Sequence, residues 1–170
     1  MNTGRGFVVP FVGLSTGSHS FKFEIDSSFF ESFEYFENVT GKLSIVVDLL
    51  KESNMLIFNF EIKGKVNLLC DRCLSSLSKN IEGLNKLIVK FGDSYMEVSD
   101  DVIVIPVSDN RINLKQHIFE FISLLIPFRN VHPNDKDGYS GCNSDIIDRI
   151  NKYSKQEEDP RWDALKGLKI

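Results

Sequence analysis

Met55 to Leu69 carries the clearest period-two signal in the chain. Leu56, Phe58, Phe60 and Ile62 alternate with Ile57, Asn59, Glu61 and Lys63, and Val66, Leu68 and Cys70 continue the even-numbered face. Successive residues of a strand point to opposite faces, so this alternation predicts a long strand with one buried side. Gly64 interrupts it and predicts a bulge or a bend. Leu43 to Leu49 reads as a second strand, and the polar turn Lys51-Glu52-Ser53-Asn54 joins the two into a hairpin. Ser18 to Ile25 alternates with His19, Phe21, Phe23 and Ile25 on one face. Leu87, Val89 and Phe91 alternate again, and Val102 to Ile105 is a short apolar strand ended by Pro106. The acidic segment between those last two reads as a loop.

Helical spacing appears in four places. Asp26 is suited to cap a short helix carrying Phe29, Phe30, Phe33 and Phe36. Asn113 is suited to cap a helix from Leu114 to Leu125, whose Leu114, Ile118, Phe121, Ile122 and Leu125 form one apolar stripe before Pro127 stops it. Asn143 or Ser144 starts a third helix with Ile146, Ile147, Ile150 and Tyr153. Asp159-Pro160 is a strong start signal for a last one, with Trp162, Leu165 and Leu168 on one face. The expected fold is therefore α+β: a largely antiparallel sheet, barrel-like in curvature, with the C-terminal helices packed against it. The expected organisation is a single domain over residues 1–170. An N-terminal strand and short helix occupy 1–40, antiparallel strands with the Cys pair 41–106, and a helical part 107–170.

Composition narrows the function. Fourteen phenylalanines in 170 residues supply a packed core. A net charge of −4 argues against an indiscriminate, strongly basic nucleic-acid binder. Charge is uneven, however. Lys63, Lys65, Arg72, Lys79, Lys86 and Lys90 lie within one stretch, and Phe91 to Asn110 holds five acidic residues and no Lys or Arg. The longest apolar stretch, Ile118 to Phe128, falls short of the roughly 20 residues that a spanning helix needs. No signal peptide is evident, and three cysteines are not a disulfide framework. A cytoplasmic location, off the membrane, is the expectation. Phosphate-loop, dinucleotide-binding, zincin and nucleophile-elbow motifs are absent from the sequence, so no enzyme activity is expected.

The chemistry-bearing feature is Cys70-Asp71-Arg72-Cys73-Leu74, at the end of the longest strand. Two residues between thiols let both sulfurs face one metal ion, but such a pair is only half of a zinc site. Cys142 and His132 can complete a set of three thiols and one imidazole with Cys70 and Cys73. The alternative is that all three thiols are reduced and purely structural. His19 and His117 read as a strand-edge and a helix-rim residue.

Cys-Asp-Arg-Cys-Leu after a long strand, the Asn-Leu-led helix ending at an apolar-Pro step, the late Cys142 and the terminal Asp159-Pro160-Arg161-Trp162-x-x-Leu165 together resemble the large ribosomal RNA subunit accumulation proteins. These are the YceD-like family, long carried as a domain of unknown function. The resemblance runs from about Leu43 to Leu168, and the opening through Phe29, Phe30 and Phe36 is similar to Bacteroidetes-type members. It implies a non-enzymatic ribosome-biogenesis factor that promotes accumulation or processing of 23S rRNA, with 23S rRNA or its precursor as partner. The family's motif positions carry over to Cys70, Arg72, Cys73, Leu74, Cys142, Asp159, Pro160, Arg161 and Leu165. Many members have a second late cysteine pair, and here that region has Cys142 alone. Either His132 takes the place of the missing thiol or the metal site is lost. Arg72, Arg129 and Arg161 are the positions expected to meet RNA, because a guanidinium binds phosphate as a fork and stacks on bases. The rival reading is a protein-interaction adaptor for a ribosomal protein or an rRNA-processing enzyme.

Overall fold

The computed structural model describes residues 2–3, 6–36, 38–134, 136, 138 and 140–154. The chain divides into two compact units. The first comprises residues 1–68 and 78–128, the second residues 69–77 and 129–170.

The first unit is built on the predicted hairpin. Strand β4 (Thr40–Lys51) pairs with β5 (Met55–Leu69) over twelve consecutive residues, from Thr40 opposite Asn67 to Lys51 opposite Leu56. Ile45 faces Ile62, Val47 faces Phe60 and Leu49 faces Phe58, and all six are buried. The alternation in both strands thus lands on one face, as a period of two requires. On the far side of β4, β3 (Gly17–Ile25) runs antiparallel and adds Phe21, Phe23 and Ile25 to the core. Beyond β3 lies β1 (Asn2–Thr3), in parallel. On the other side of β5 come β6 (Ser76–Gly92), then β8 (Val102–Pro106) parallel to β6, then β7 (Met96–Ser99) antiparallel to β8 at the edge. A small separate ribbon pairs β2 (Val8–Pro10) with β9 (Arg111–Asn113).

The sheet is mixed and mostly antiparallel, but it is open. Its order runs β1-β3-β4-β5-β6-β8-β7 without closing, which corrects the barrel-like expectation. β1 and β7 are the two edges, and no pairing between them is present among the described residues. At Gly64 the bulge, one of the two alternatives expected, is excluded. The β4–β5 register passes through it unbroken, opposite Leu43, so it is not a bulge. Its φ is +155°, and an added Cβ would collide with the Lys42 carbonyl oxygen and the Leu43 backbone. The glycine is there because two backbones approach too closely for a side chain.

Two segments that did not read as strands are strands. β6 extends back to Ser76, although Gly83 and Asn85 take inward positions. At Gly83 the missing side chain makes room for Leu125, whose methyl an added Cβ would overlap. β7 is exposed along its whole length, so no apolar alternation marks it.

Helix α1 (Ser27–Glu31) begins as predicted, with the Asp26 carboxylate accepting the Ser28 backbone N–H at 3.0 Å. A 3-10 turn, Glu34–Phe36, follows it. Helix α2 (Lys115–Leu125) packs on the sheet: Phe121 meets Phe60 edge-on with centroids 5.0 Å apart, and Phe119 stacks on Phe33 at 4.1 Å. Asn113 accepts the Lys115 N–H at 2.9 Å, which satisfies one of the donors a helix start leaves open. Helix α3 (Ser144–Ser154) belongs to the second unit and buries no residue completely. The predicted terminal helix lies outside the described residues. No described helix is long and apolar enough to cross a membrane.

Replacement of Gly64 by Ala is expected to lower the free energy of unfolding by about 2 kcal/mol, from left-handed strain plus the backbone clash. Chemical denaturation followed by circular dichroism measures it. A loss below about 0.5 kcal/mol would mean that β4 and β5 can move apart at no real cost.

Candidate metal centre

Four side chains converge within the second unit. The donor atoms of Cys70, Cys73, His132 and Cys142 all lie within 4.8 Å of one another. Cys70 and Cys142 sulfurs are 3.7 Å apart, and Cys73 Sγ is 3.4 Å from His132 Nδ1. A tetrahedral zinc with bonds of about 2.3 Å to sulfur and about 2.0 Å to nitrogen requires donor–donor edges of about 3.5–3.8 Å. The two short pairs are already near those edges. The three thiols are buried and unpaired by any disulfide.

Local chain geometry explains the convergence. Cys70 is the first residue after β5. Its N–H donates to the Ser75 carbonyl at 2.9 Å, and its own carbonyl accepts the Leu74 N–H at 2.8 Å, which curls the connection into a knuckle. Leu74 takes the left-handed backbone, φ +57°, and is 71% exposed. That conformation costs a non-glycine residue about 1–2 kcal/mol, and the tight turn bringing Cys73 back over Cys70 imposes it. Opposite, Gly141 donates its N–H to the Pro133 carbonyl at 3.1 Å, and Asn134 bridges Ser140. This second turn sets His132 near Cys142. A Cβ on Gly141 would lie 2.6 Å from the Pro133 oxygen, so this close approach also needs a glycine.

Two polar links tie the turns together. The Asp71 N–H donates to the Asn130 carbonyl at 2.7 Å, and the Asn130 N–H donates back to the Asp71 carboxylate. Arg72 donates from its guanidinium to Ser140 Oγ at 3.0 Å. Arg72 is therefore engaged inside the unit, bracing one ligand loop against the other. Arg129 lies exposed, one residue before Asn130. The structure does not bring Arg72 and Arg129 into a common donor set with the cysteines. Arg161, with Asp159, Pro160 and Leu165, lies outside the described residues. His19 and His117 are not part of the cluster. In the first unit, His19 Nε2 meets the Ser15 carbonyl at 2.8 Å. His117 is half-buried on α2, with burial pushing its pKa down.

The outer ring of contacts was not anticipated. His132 Nε2 sits 3.1 Å from the Ser76 carbonyl. A histidine that binds a metal through one nitrogen commonly donates the other N–H to such an oxygen, which fixes tautomer and ring orientation. Asn143 matters for the same reason. It caps α3 through its Oδ1 on the Asp145 N–H, at 3.0 Å, and its own N–H points at Cys73 sulfur. The signal was present in Asn143-Ser144: a helix start leaves backbone N–H groups open, and the one at Asn143 meets the Cys73 sulfur.

Electrostatics follow. The Asn143 N–H pulls the Cys73 thiol down to about 6, against burial and with help from Ser75 and Cys70. For Cys70 burial acts upward, but the backbone N–H groups of Cys73, Arg72 and His132 outweigh it and the net direction is down. His132 is held above the usual imidazole range, chiefly by the Cys70 sulfur beside it. The surroundings of Cys70 and Cys73 favour their thiolates without a metal, which is the state in which cysteine binds one.

In chelator-treated protein, thiolate absorbance near 240 nm is expected to rise with a midpoint near pH 6, and that step is expected to be missing in Cys73→Ser. The folded thiol pKa lies below the ordinary value of about 8.5. The stabilisation it brings is therefore complete above that ordinary value and is lost as pH falls through about 6. A first thiolate step near pH 8.5 would contradict the donor geometry around Cys73.

No curated protein and no solved structure matches the chain. A family model described as large ribosomal RNA subunit accumulation protein YceD matches residues 58–169. The match begins inside β5, later than the resemblance from about Leu43, and spans all four residues of the cluster. With that share of its length matched, the chain belongs to the YceD family of large ribosomal RNA subunit accumulation proteins.

Proposed function

We propose that this protein is a non-enzymatic, cytoplasmic ribosome-biogenesis factor that promotes accumulation of 23S rRNA by binding it or its precursor. The family match over residues 58–169 carries the reading. The cluster supports a structural role for zinc, because three thiols and one imidazole in a closed set are the donors of a structural site. Zinc held by Cys70, Cys73, His132 and Cys142 would cross-link the two segments of the second unit. The residues around it then present Arg72, Arg129 and Leu74 on a rigid loop pair.

A second surface, in the first unit, fits a polyanion. Lys42 and Lys65 are directly opposite each other in the β4–β5 ladder. Like charges so placed destabilise a sheet, and a phosphate over them would reverse the sign. They line a shallow depression with Lys63, Asn80 and one carboxylate, Glu82, so three lysines stand against one acidic group. Lys63 is partly neutralised by Glu61 at 2.5 Å. Arg129, Arg161 and this lysine pair are the contacts expected to meet RNA. The rival reading, an adaptor for a ribosomal protein or a processing enzyme, is favoured by the acidic run from Phe91 to Asn110.

Protein purified without chelator is expected to carry about one zinc per chain by mass spectrometry of the metal. Cys70→Ser, Cys73→Ser and Cys142→Ser are each expected to lose it, and His132→Cys to retain it in an all-thiolate site. Full zinc content in Cys142→Ser would rule out the four-residue set.

Crosslinking in cells followed by sequencing is expected to enrich 23S rRNA or its precursor. In vitro, Lys42→Glu and Arg161→Ala should each weaken RNA binding and lower the salt slope by about one. Absence of RNA enrichment, with a protein partner that survives ribonuclease, would replace this reading by the adaptor.

A further inference from the structure

The edge of the sheet carries a surface with the opposite chemistry. β7 is the last strand, paired with β8 on one side only among the described residues. Its other row of backbone N–H and C=O groups is open. Proteins usually blunt such an edge with Lys, Pro or a cover. β7 has no Lys or Pro, and it displays Met96 and Val98, each more than half exposed. What limits it is its length of four residues and a register shift between Glu97 and Ser99, so only a short segment can add there.

β7 also forms a wall of a cleft of about 940 Å³ in the first unit, lined on the other side by α2 and β9. Its floor is apolar, with buried Ile103, Ile105, Ile112 and Phe121, and exposed Val98 and Leu124 line its mouth. The charged lining is one-sided: Glu97, Asp100, Asp109 and Glu120 stand against Arg111, with His117 beside them held neutral by burial. Among the described residues none of these four carboxylates is in an ion pair. Glu97 accepts the Tyr95 hydroxyl at 2.8 Å, and Glu120 accepts the Gln116 amide at 2.8 Å. Both bonds are neutral and leave each carboxylate its charge.

We propose that this cleft and edge dock a cationic, extended peptide segment of a partner protein. The segment adds to β7 as a further strand, which satisfies the open backbone row. Alternate side chains then point two ways, basic ones over the carboxylates and apolar ones into the cleft. Nucleic acid is repelled by the same carboxylates. A second copy of this chain would set one acidic edge against another, so self-pairing is disfavoured.

The test uses the full chain and a fluorescent nine-residue peptide alternating Arg and Val, read by anisotropy. The peptide is expected to bind, with affinity falling as salt rises. A Glu-Val peptide is expected not to bind, and a version with two central prolines to bind at least tenfold more weakly. E97K/E120K is expected to lose at least tenfold in affinity while keeping the wild-type melting curve. The milder E97Q/E120Q, expected to lose at least threefold, serves if the reversal disturbs folding. Amide shifts in nuclear magnetic resonance should concentrate at Met96–Ser99. Equal binding by the proline peptide would overturn strand addition, and unchanged affinity in both Glu97/Glu120 variants would overturn the site. Self-association abolished by E97K/E120K would assign the edge to a second copy instead. No RNA enters these measurements, so their failure and failure of the RNA reading are distinguishable.

Discussion

Twelve unbroken pairs between β4 and β5 hold the first unit in place, and the rest of that unit is arranged around their register. A slip of one residue would turn Phe58, Phe60 and Ile62 to solvent and bring Asn59, Glu61 and Lys63 inward. The close approach at Gly64 opposes such a slip, because any other residue brought there would carry a Cβ into the Lys42 carbonyl. The same register sets which face α2 covers, since Phe121 needs Phe60 beneath it.

Much of this was legible in the sequence, for reasons that differ from place to place. The hairpin was readable because both arms bury one face completely. The starts of α1, α2 and α3 were readable because Asp26, Asn113 and Asn143 each accept a nearby backbone N–H. The first half of β6 was not, because its inward face is shared with a helix: Gly83 yields its volume to Leu125, and a pattern search sees only a gap. β7 was not, because a strand exposed on both faces has no apolar period. Openness of the sheet was not legible either, because strand patterns do not encode which strands lie at its edges.

The cluster shows a similar division. Residue type alone nominated Cys70, Cys73, His132 and Cys142, since few other soft donors exist in the chain. Their convergence could not be derived, because 59 residues separate Cys73 from His132. What closes that distance is ordinary polar chemistry in the two turns: the reciprocal Asp71–Asn130 bonds and the Arg72–Ser140 bond. An arginine that reads as a ligand-facing group from sequence is here also a brace. Those roles are compatible, because a guanidinium has five N–H donors and Ser140 occupies one.

The long separation has a consequence for synthesis. A ribosome adding about 5–20 residues per second makes Cys70 and Cys73 several seconds before His132, and Cys142 later still. All of β6 to α2 is made in that interval. Until it ends, the first two thiols are a dithiol without their partners, open to closing on each other as a disulfide. That would consume two of the four donors before the others exist. The order of the ligands along the chain thus makes the nascent protein, rather than the finished one, the form most sensitive to oxidant.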